Sequence, residues 1–152
     1  RALPADGVLV TLEAEVKHAE VARANFAAAG LAERVQLHLG SALDTLPTLL
    51  PEYAASFDLC FLDADKANLP AYFDWAHKLT RKGGLIISDN VIRGGDVLNG
   101  TDINSTGART LIETLGNNGN STASQTVGSK GYDGFALTIV EKPRPSHVKY
   151  RP

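Results

Sequence analysis

FDLCFLDADKANLPAYF, residues 57–73, contains the clearest structural signal of the chain. Its first six residues are almost all apolar and run directly into Asp63, which is typical of a strand buried on both faces of a parallel sheet. Leu69, Tyr72 and Phe73 then recur at helical spacing. A buried strand followed by an amphipathic helix predicts an α/β fold with a mostly parallel sheet.

Two further strand–helix units precede this stretch. Residues 8–12 form a short apolar run that ends at Glu13, and apolar residues at helical spacing follow it. Residues 35–39 alternate apolar and polar side chains, so this strand is expected to have one wet face or to lie at an edge. Residues 43–50 predict a short helix, in which Pro47 is tolerated only near the first turn.

The strand–helix alternation continues downstream. Gly83 and Gly84 are expected to end the helix, and residues 85–87 predict a fourth strand that leads into Asp89 and Asn90. Residues 91–106 are rich in Gly, Asn and Asp and show no period, so they predict a loop long enough to be functional. A further helix follows that loop.

The end of the chain differs in character from the rest. Residues 121–127 and 135–140 predict an antiparallel pair of strands at one side of the sheet. Residues 143–152 combine prolines with basic residues and predict a flexible tail. We therefore expect a folded domain over residues 1–142 and a flexible tail over residues 143–152.

Composition limits the classes of partner. With 43% hydrophobic and 21% charged residues, the chain has the makeup of one globular domain. A net charge of -2 leaves no broad basic surface, so neither nucleic acid nor a membrane is an expected partner. The single cysteine, Cys60, lies in an apolar run and is expected to be a packed thiol. This favours a reducing compartment and a cytoplasmic location.

Polar residues end each of the four predicted strands. Ligands of parallel α/β proteins bind at the carboxyl ends of the strands, so these residues are the candidate site. Each one alone is more commonly a helix cap or a turn residue. Three acidic strand ends on one rim favour a ligand site instead. The residues are Glu13, Gly40, Ser41, Asp63, Asp65, Asp89 and Asn90.

Asp63, Asp89 and Asn90 offer two carboxylates and an amide carbonyl, all hard oxygen donors. This set suits Mg²⁺ first, with Mn²⁺ or Ca²⁺ as alternatives, and does not suit zinc. A carboxylate at the end of a strand, such as Glu13, is able to accept the hydroxyls of a ribose. Lys66 is close enough in sequence to reach a substrate on the same metal, although it also fits a solvated lysine at a helix start.

Three segments carry a resemblance to a known family: FLDADKANLPAYF (61–73), GGLIISDNVIRGG (83–95) and GYDGFALTIV (131–140). Together they resemble the cation-dependent small-molecule O-methyltransferases, which include catechol and caffeoyl-CoA O-methyltransferases. The resemblance covers nearly all of residues 7–141. It implies a Rossmann-like fold that binds S-adenosylmethionine, with a C-terminal antiparallel hairpin.

The family's first strand and its glycine-rich turn would precede Arg1. We therefore expect a gap in the sheet between the strands that end at Glu13 and at Asp63. We also expect that residues 1–152 by themselves neither bind the cofactor well nor fold stably.

The resemblance implies a role for each candidate residue. Asp63, Asp89 and Asn90 would bind the metal, and Lys66 would help to deprotonate a small phenolic substrate, with Asp63 beside it as the second catalytic residue. Glu13 would hold the cofactor ribose, and Ala42 would contact the adenine. The cofactor-binding set implied in this way is Glu13, Gly40, Ser41, Ala42, Asp63 and Asp65.

Arg93 stands where many relatives carry an aromatic residue beside the substrate. The hypothesis is that Arg93 attracts a carboxylate or a phosphate group on the substrate. The resemblance to this family also implies that the protein is a homodimer.

Two other functions are compatible with the residues. The chain could be a catalytically inactive remnant that serves as an interaction or oligomerisation module, although the intact set of Asp63, Lys66, Asp89 and Asn90 argues against this. A phosphatase-like hydrolase is the second alternative, because Asp63 and Asp65 form an aspartate pair after a buried strand. Residues 66–68 lack the Thr or Ser that would hold a phosphate.

Overall fold

The computed structural model of the protein describes residues 2–117, 119–129 and 131–141. The predicted tail, residues 143–152, lies outside the described residues. The chain divides into two compact units, residues 1–48 and residues 49–152. Strands and helices alternate in both, which confirms the predicted α/β class.

The first unit is one parallel strand–helix–strand motif. Strand β1 (Leu9–Glu13) leads into helix α1 (Val16–Ala28), and a 3₁₀ turn (Ala32–Arg34) leads into strand β2 (Val35–Leu39). The two strands pair in parallel along their whole length. Both strands were predicted from the sequence. Gly30 follows the helix with φ at 66°, a conformation that favours glycine.

Helix α2 is longer than the sequence predicted. It spans Ala42–Tyr53, so Pro47 lies in its second turn and the expectation of a first-turn position is wrong. Proline has no N–H group, so the helix lacks one backbone hydrogen bond there. The hydroxyl of Thr45 donates to the carbonyl oxygen of Ser41 at 2.9 Å, and that of Thr48 donates to the carbonyl of Thr45 at 2.7 Å. These bonds add side-chain support to the turns around the proline.

The second unit contains a four-stranded mixed sheet. Its strands are β3 (Phe57–Leu62), β4 (Thr80–Asp89), β5 (Ser121–Gly128) and β6 (Gly131–Ile139), in the order β3-β4-β6-β5. Strands β3 and β4 are parallel, whereas β6 is antiparallel to both of its neighbours. The predicted antiparallel pair is therefore confirmed at one side of the sheet. The described strands form two separate sheets, one of β1 and β2 and one of β3 to β6.

Helices α3 (Leu69–Leu79) and α5 (Ile103–Gly116) enclose the core of the second unit. A short helix, α4 (Asp96–Asn99), precedes α5. The buried core consists of Leu69, Phe73, Ala76, Ile86, Val91, Leu111, Leu115, Ala136 and Val140. Burial of each leucine- or phenylalanine-sized side chain contributes about 1.5–3 kcal/mol to the free energy of unfolding.

None of the helices in the described ranges has the length and apolar character needed to span a bilayer.

Strand β3 is covered on one face only, so the prediction of a strand buried on both faces is wrong. Leu59 and Phe61 are 50% and 57% exposed. Cys60 and Leu62 pack against the core. Alternate residues of a strand face opposite sides of the sheet, and the side of β3 that carries Leu59 and Phe61 is only partly covered, by the stacking of Phe57 on Tyr53 of α2. Burial raises the pKa of the free Cys60 thiol, which accepts a hydrogen bond from the hydroxyl of Thr80 at 3.1 Å.

Gly83 and Gly84 lie inside β4 and do not end the helix, which stops at Leu79. The pairing with β3 is irregular at this point, since Phe57 is opposite Thr80 but Leu59 is opposite Leu85. A Cβ atom on Gly84 would lie 2.5 Å from the Cγ2 atom of Thr80. Gly83 and Gly84 therefore form a β-bulge that has no room for a side chain.

The segment 91–106 is more ordered than the predicted loop. It contains a 3₁₀ turn (Arg93–Gly95) and helix α4, and α5 already begins at Ile103. The carboxylate of Asp102 caps α5 by accepting hydrogen bonds from the backbone of Asn104 and Ser105, both at 3.0 Å. Single helical turns are too short to produce a visible period, which is why the sequence did not reveal them.

Gly107→Ala is expected to destabilise the fold. A Cβ atom at this position would lie 2.1 Å from the carbonyl oxygen of Lys66. Alanine normally stabilises a helix relative to glycine, but overpacking of this kind costs about 1–3 kcal/mol. Urea denaturation measures the change. Gly116→Ala is the matched control, because it lies in the same helix with nothing within 4 Å. Equal unfolding midpoints for the two variants would contradict the close packing.

Candidate active site

The parallel register of β3 and β4 places Asp63 beside Asp89. Leu62, the last residue of β3, pairs with Ser88. The next residues along the two chains are Asp63 and Asp89, and neighbouring strands are about 4.8 Å apart. Residues in register face the same side of a sheet, so this pairing brings the backbones of Asp63 and Asp89 to neighbouring strand ends.

Lys66 is held against Asp63. Its Nζ atom is 2.9 Å from the Oδ1 atom of Asp63, and the residue is only 7% exposed. Helix α5 fixes its backbone, because the N–H of Ala67 donates to the Oδ1 atom of Asn104 at 3.1 Å. A buried ammonium group needs a partner of opposite charge. Asp63 is that partner, and its side chain is half exposed, so its second oxygen is available to a ligand.

Asn90 follows β4 in a left-handed conformation, with φ at 55°, which asparagine tolerates better than most residues. Its Nδ2 atom donates to the Oδ2 atom of Asp133 at 3.2 Å. The backbone of Ile92, Arg93 and Gly134 donates to the other oxygen, Oδ1, of the same carboxylate. Asp133 therefore connects β6 to the turn that carries the candidate ligand.

Asp133 was not among the residues predicted from the sequence. Partial burial raises the pKa of its carboxyl group, but the hydrogen bonds from Arg93, Gly134, Ile92 and Asn90 outweigh burial and lower that pKa overall. The only available signal was its position inside the GYDGFALTIV segment, where a lone aspartate before glycine is typical of a turn.

Arg93 lines a cavity of about 620 Å³ next to Asn90. Its φ of 56° is unfavourable for a residue with a side chain and costs about 1–2 kcal/mol. Its Nε atom is buried without a hydrogen-bond partner in the part of the chain that the structure describes. Thr126, Ser129 and Tyr132 of the hairpin line the same cavity. The cavity therefore combines a cationic group with several hydroxyls.

Asp65 is already engaged within its own loop. One carboxylate oxygen accepts hydrogen bonds from the backbone and side chain of Asn68, at 3.2 and 2.8 Å. The other accepts from the hydroxyl of Tyr72. These bonds match the helix-start role that is common for such a residue. Its predicted contact with a cofactor stays a prediction.

The remaining predicted residues lie together in the first unit. The backbone N–H of Gly40 donates to the carbonyl oxygen of Glu13 at 2.9 Å, so the ends of β1 and β2 are adjacent. Ser41 and Ala42 follow directly. The Oε1 atom of Glu13 accepts a hydrogen bond from the backbone N–H of Glu15 at 2.8 Å, and its Oε2 atom is 3.8 Å from the Nδ1 atom of His18. The proximity of His18 was not predicted from the sequence.

The predicted site residues thus form one group in each unit. Among the described residues, no three His, Cys, Asp or Glu side chains come together as a metal site. The predicted ligand set contains two acidic residues and an amide, so it does not depend on such a cluster. Asp63, Lys66, Asp89, Asn90 and Arg93 belong to the second unit, and Glu13, Gly40, Ser41 and Ala42 belong to the first.

The sequence of the chain is similar to those of known O-methyltransferases. The sequence model of a family described as O-methyltransferase matches residues 1–121. A catechol O-methyltransferase of Mycobacterium tuberculosis is 51% identical over 137 residues, which are 88% of this chain and 61% of that protein.

Two solved structures are similar in both fold and sequence. An O-methyltransferase of Bacillus cereus, in complex with SAH, has a TM-score of 0.87 and 47% identity, covering 93% of this chain and 66% of that one. The O-methyltransferase TomG of Streptomyces achromogenes, involved in tomaymycin synthesis and in complex with SAM, has a TM-score of 0.87 and 46% identity, covering 93% and 65%. The Rossmann-like fold of these S-adenosylmethionine-dependent enzymes confirms the predicted fold. The chain spans less than two thirds of the length of each relative.

Tyr72→Phe is expected to make the free energy of unfolding fall less steeply as the pH rises above ~10. Burial, followed by the hydrogen bond to the Asp65 carboxylate, raises the pKa of Tyr72 to about 12. In the unfolded chain this pKa is near ~10. The folded state therefore keeps a proton that the unfolded state loses, so this contribution to stability is present below pH ~10 and disappears as pH rises toward the folded pKa. Urea denaturation of both proteins at pH 9 to 11 measures the slope. Identical slopes would contradict the raised pKa.

Proposed function

The chain belongs to the O-methyltransferase family, and on this basis we propose that it transfers a methyl group from S-adenosylmethionine to a hydroxyl of a small catechol-like phenol with the help of a divalent cation. The observation that carries the proposal is the parallel pairing of β3 with β4, after which Asp63 and Asp89 directly follow Leu62 and Ser88, with Lys66 bound to Asp63. The carboxyl ends of parallel strands are where ligands of such sheets bind.

The residues at these strand tips fit a hard cation. Two carboxylates side by side repel each other unless a positive charge lies between or beside them. The amide of Asn90 adds an oxygen, because its nitrogen is occupied by Asp133. Carboxylate and amide oxygens suit Mg²⁺, with Mn²⁺ or Ca²⁺ as alternatives. A divalent cation at this position would stabilise the phenolate form of a catechol that chelates it through both oxygens.

Lys66 is the proposed base. A phenol has a pKa near ~10, so little of it is ionised at neutral pH, and a nearby group must take the proton. The Nζ atom of Lys66 lies at the same strand tip, in an ion pair with Asp63. A cation bound to Asp63 would draw this carboxylate away from Lys66 and favour its neutral amine, which could then accept the proton of the phenol. The phenolate oxygen would attack the methyl carbon in line and form an O–C bond as the S–C bond breaks and S-adenosylhomocysteine leaves.

The cofactor is proposed to bind at the strand ends of the first unit, with Gly40 and Ser41 beside it. Glu13 would accept hydrogen bonds from the ribose hydroxyls, as acidic residues at strand ends do in nucleotide-binding folds. Ala42 would contact the adenine, and the contacts of Asp63 and Asp65 with the cofactor stay predictions. The remaining contribution of the protein would be the alignment of two bound substrates.

The cavity beside Asn90 is the proposed place for the rest of the phenol. Arg93, Asp133 and the hairpin hydroxyls line it, so the part of the substrate that does not react would meet a polar surface with charges of both signs. A homodimer and a cytoplasmic location remain predictions.

Methyl transfer from S-adenosylmethionine to catechol, assayed with the complete product of the gene, tests the proposal. Activity is expected to disappear with EDTA and to return with Mg²⁺ or Mn²⁺. Lys66→Ala should lower kcat by ~10²–10⁴-fold, the usual contribution of a general base. Lys82→Ala is the matched control, because Lys82 is exposed and lies at the far end of β4. Activity that persists in EDTA, or equal kcat values for the two variants, would refute the proposed mechanism.

Arg93→Ala is expected to change substrate preference more than overall rate. Arg93 lines the cavity and its Nε atom has no hydrogen-bond partner among the described residues, so its guanidinium group should favour a substrate that carries a carboxylate. Comparison of kcat/KM for 3,4-dihydroxybenzoate and for unsubstituted catechol measures this preference. The ratio should fall by ~10-fold or more, which corresponds to a lost charged hydrogen bond. If the variant weakens both substrates equally, Arg93 does not recognise the acidic group.

A further inference from the structure

The carboxylate of Asp133 divides its hydrogen bonds between its two oxygen atoms. Oδ1 accepts from the backbone N–H groups of Ile92, Arg93 and Gly134, at 3.2, 2.8 and 2.8 Å. Oδ2 accepts from the side-chain amide of Asn90 at 3.2 Å. One oxygen therefore holds the backbone of the turn, and the other holds a single side-chain group.

The Oδ2 atom determines which edge of the Asn90 amide faces it. A carboxylate oxygen only accepts hydrogen bonds, so the NH₂ group of Asn90 must point toward Asp133. The carbonyl oxygen then lies at the other side of the same planar group. The two orientations of an amide have nearly the same shape, but only the oxygen edge binds a cation. Packing alone would not distinguish them, whereas Asp133 does.

We propose that Asp133 is a positioning residue that keeps the carbonyl oxygen of Asn90 turned toward the cation held by Asp63 and Asp89. The proposal rests on the proposed function, because it assumes a cation at these residues. It assigns a task to a residue on β6, which is distant in sequence from the strand tips that carry the ligands. The left-handed backbone of Asn90 is part of the arrangement, since asparagine and aspartate are the residues that tolerate it.

Asp133→Asn separates the two tasks of the carboxylate. The new amide retains one oxygen, which is able to accept from all three backbone donors, and presents NH₂ in place of Oδ2. Two NH₂ groups would then face each other, so the amide of Asn90 is expected to turn its oxygen away from the cation. In the complete product of the gene, Mn²⁺ affinity, measured by titration calorimetry, should fall by ~10–100-fold, as is usual when a residue that orients a metal ligand is replaced.

The reciprocal double variant, Asp133→Asn with Asn90→Asp, is expected to restore most of that affinity. The amide at position 133 then donates to a carboxylate at position 90, whose second oxygen remains for the cation. The net charge equals that of the wild type. Asp96→Asn is the matched control, because Asp96 is exposed in the same segment and its removal should leave Mn²⁺ affinity unchanged.

The outcomes separate this inference from the proposed function. If the wild type binds no Mn²⁺, the cation site itself is wrong and the inference fails with it. If the wild type binds Mn²⁺ and Asp133→Asn binds it equally well, the inference alone fails. If Asp133→Asn does not fold, the double variant decides: a folded double variant that binds Mn²⁺ supports the inference, and one that does not bind overturns it.

Discussion

The unbroken parallel pairing of β3 with β4, from Leu59–Leu85 to Leu62–Ser88, is the constraint on which the site depends. A slip by one residue would move every side chain of β3 to the other face of the sheet. Asp63 would then face away from Asp89, and Lys66, which is three residues further on, would lose its partner. The core residue Ile86, opposite Cys60, fixes this register through burial, so the packing of the fold and the geometry of the site are set together.

The second unit compensates its acidic groups in different ways. Asp63 has the buried ammonium group of Lys66. Asp133 has amide donors alone, which stabilise its charge without a cation. Asp89 accepts a hydrogen bond from the backbone of Asn90 at 2.8 Å and has no ion pair within the described residues. The negative charge at the strand tips is therefore only partly balanced by the chain itself, which is the electrostatic condition for binding a cation from solution.

The strand tips were predictable because an apolar run that ends in a carboxylate is a local pattern, and parallel strands bring such ends to one rim. Asp133 was not, because its role arises from the antiparallel pairing of β6 with β4, a contact between distant parts of the chain. The exposure of Phe61 was missed for a related reason. An apolar strand sequence shows that both faces of the strand are suited to burial, but only the tertiary packing shows whether both faces are buried. Single helical turns in residues 91–106 left no period to detect.

The glycine bulge lies near the start of β4 and does not affect the position of the last residue of the strand, Asp89. The irregular pairing is confined to the segment before Leu85, at the end of β4 away from Asp89. The backbone of Gly83 and Gly84 is hydrogen-bonded to Val140, at 2.7 and 3.0 Å, so the bulge is held in place by the residue that follows β6. The extra residues therefore change the path of β4 at its start without shifting the register that brings Asp89 next to the end of β3.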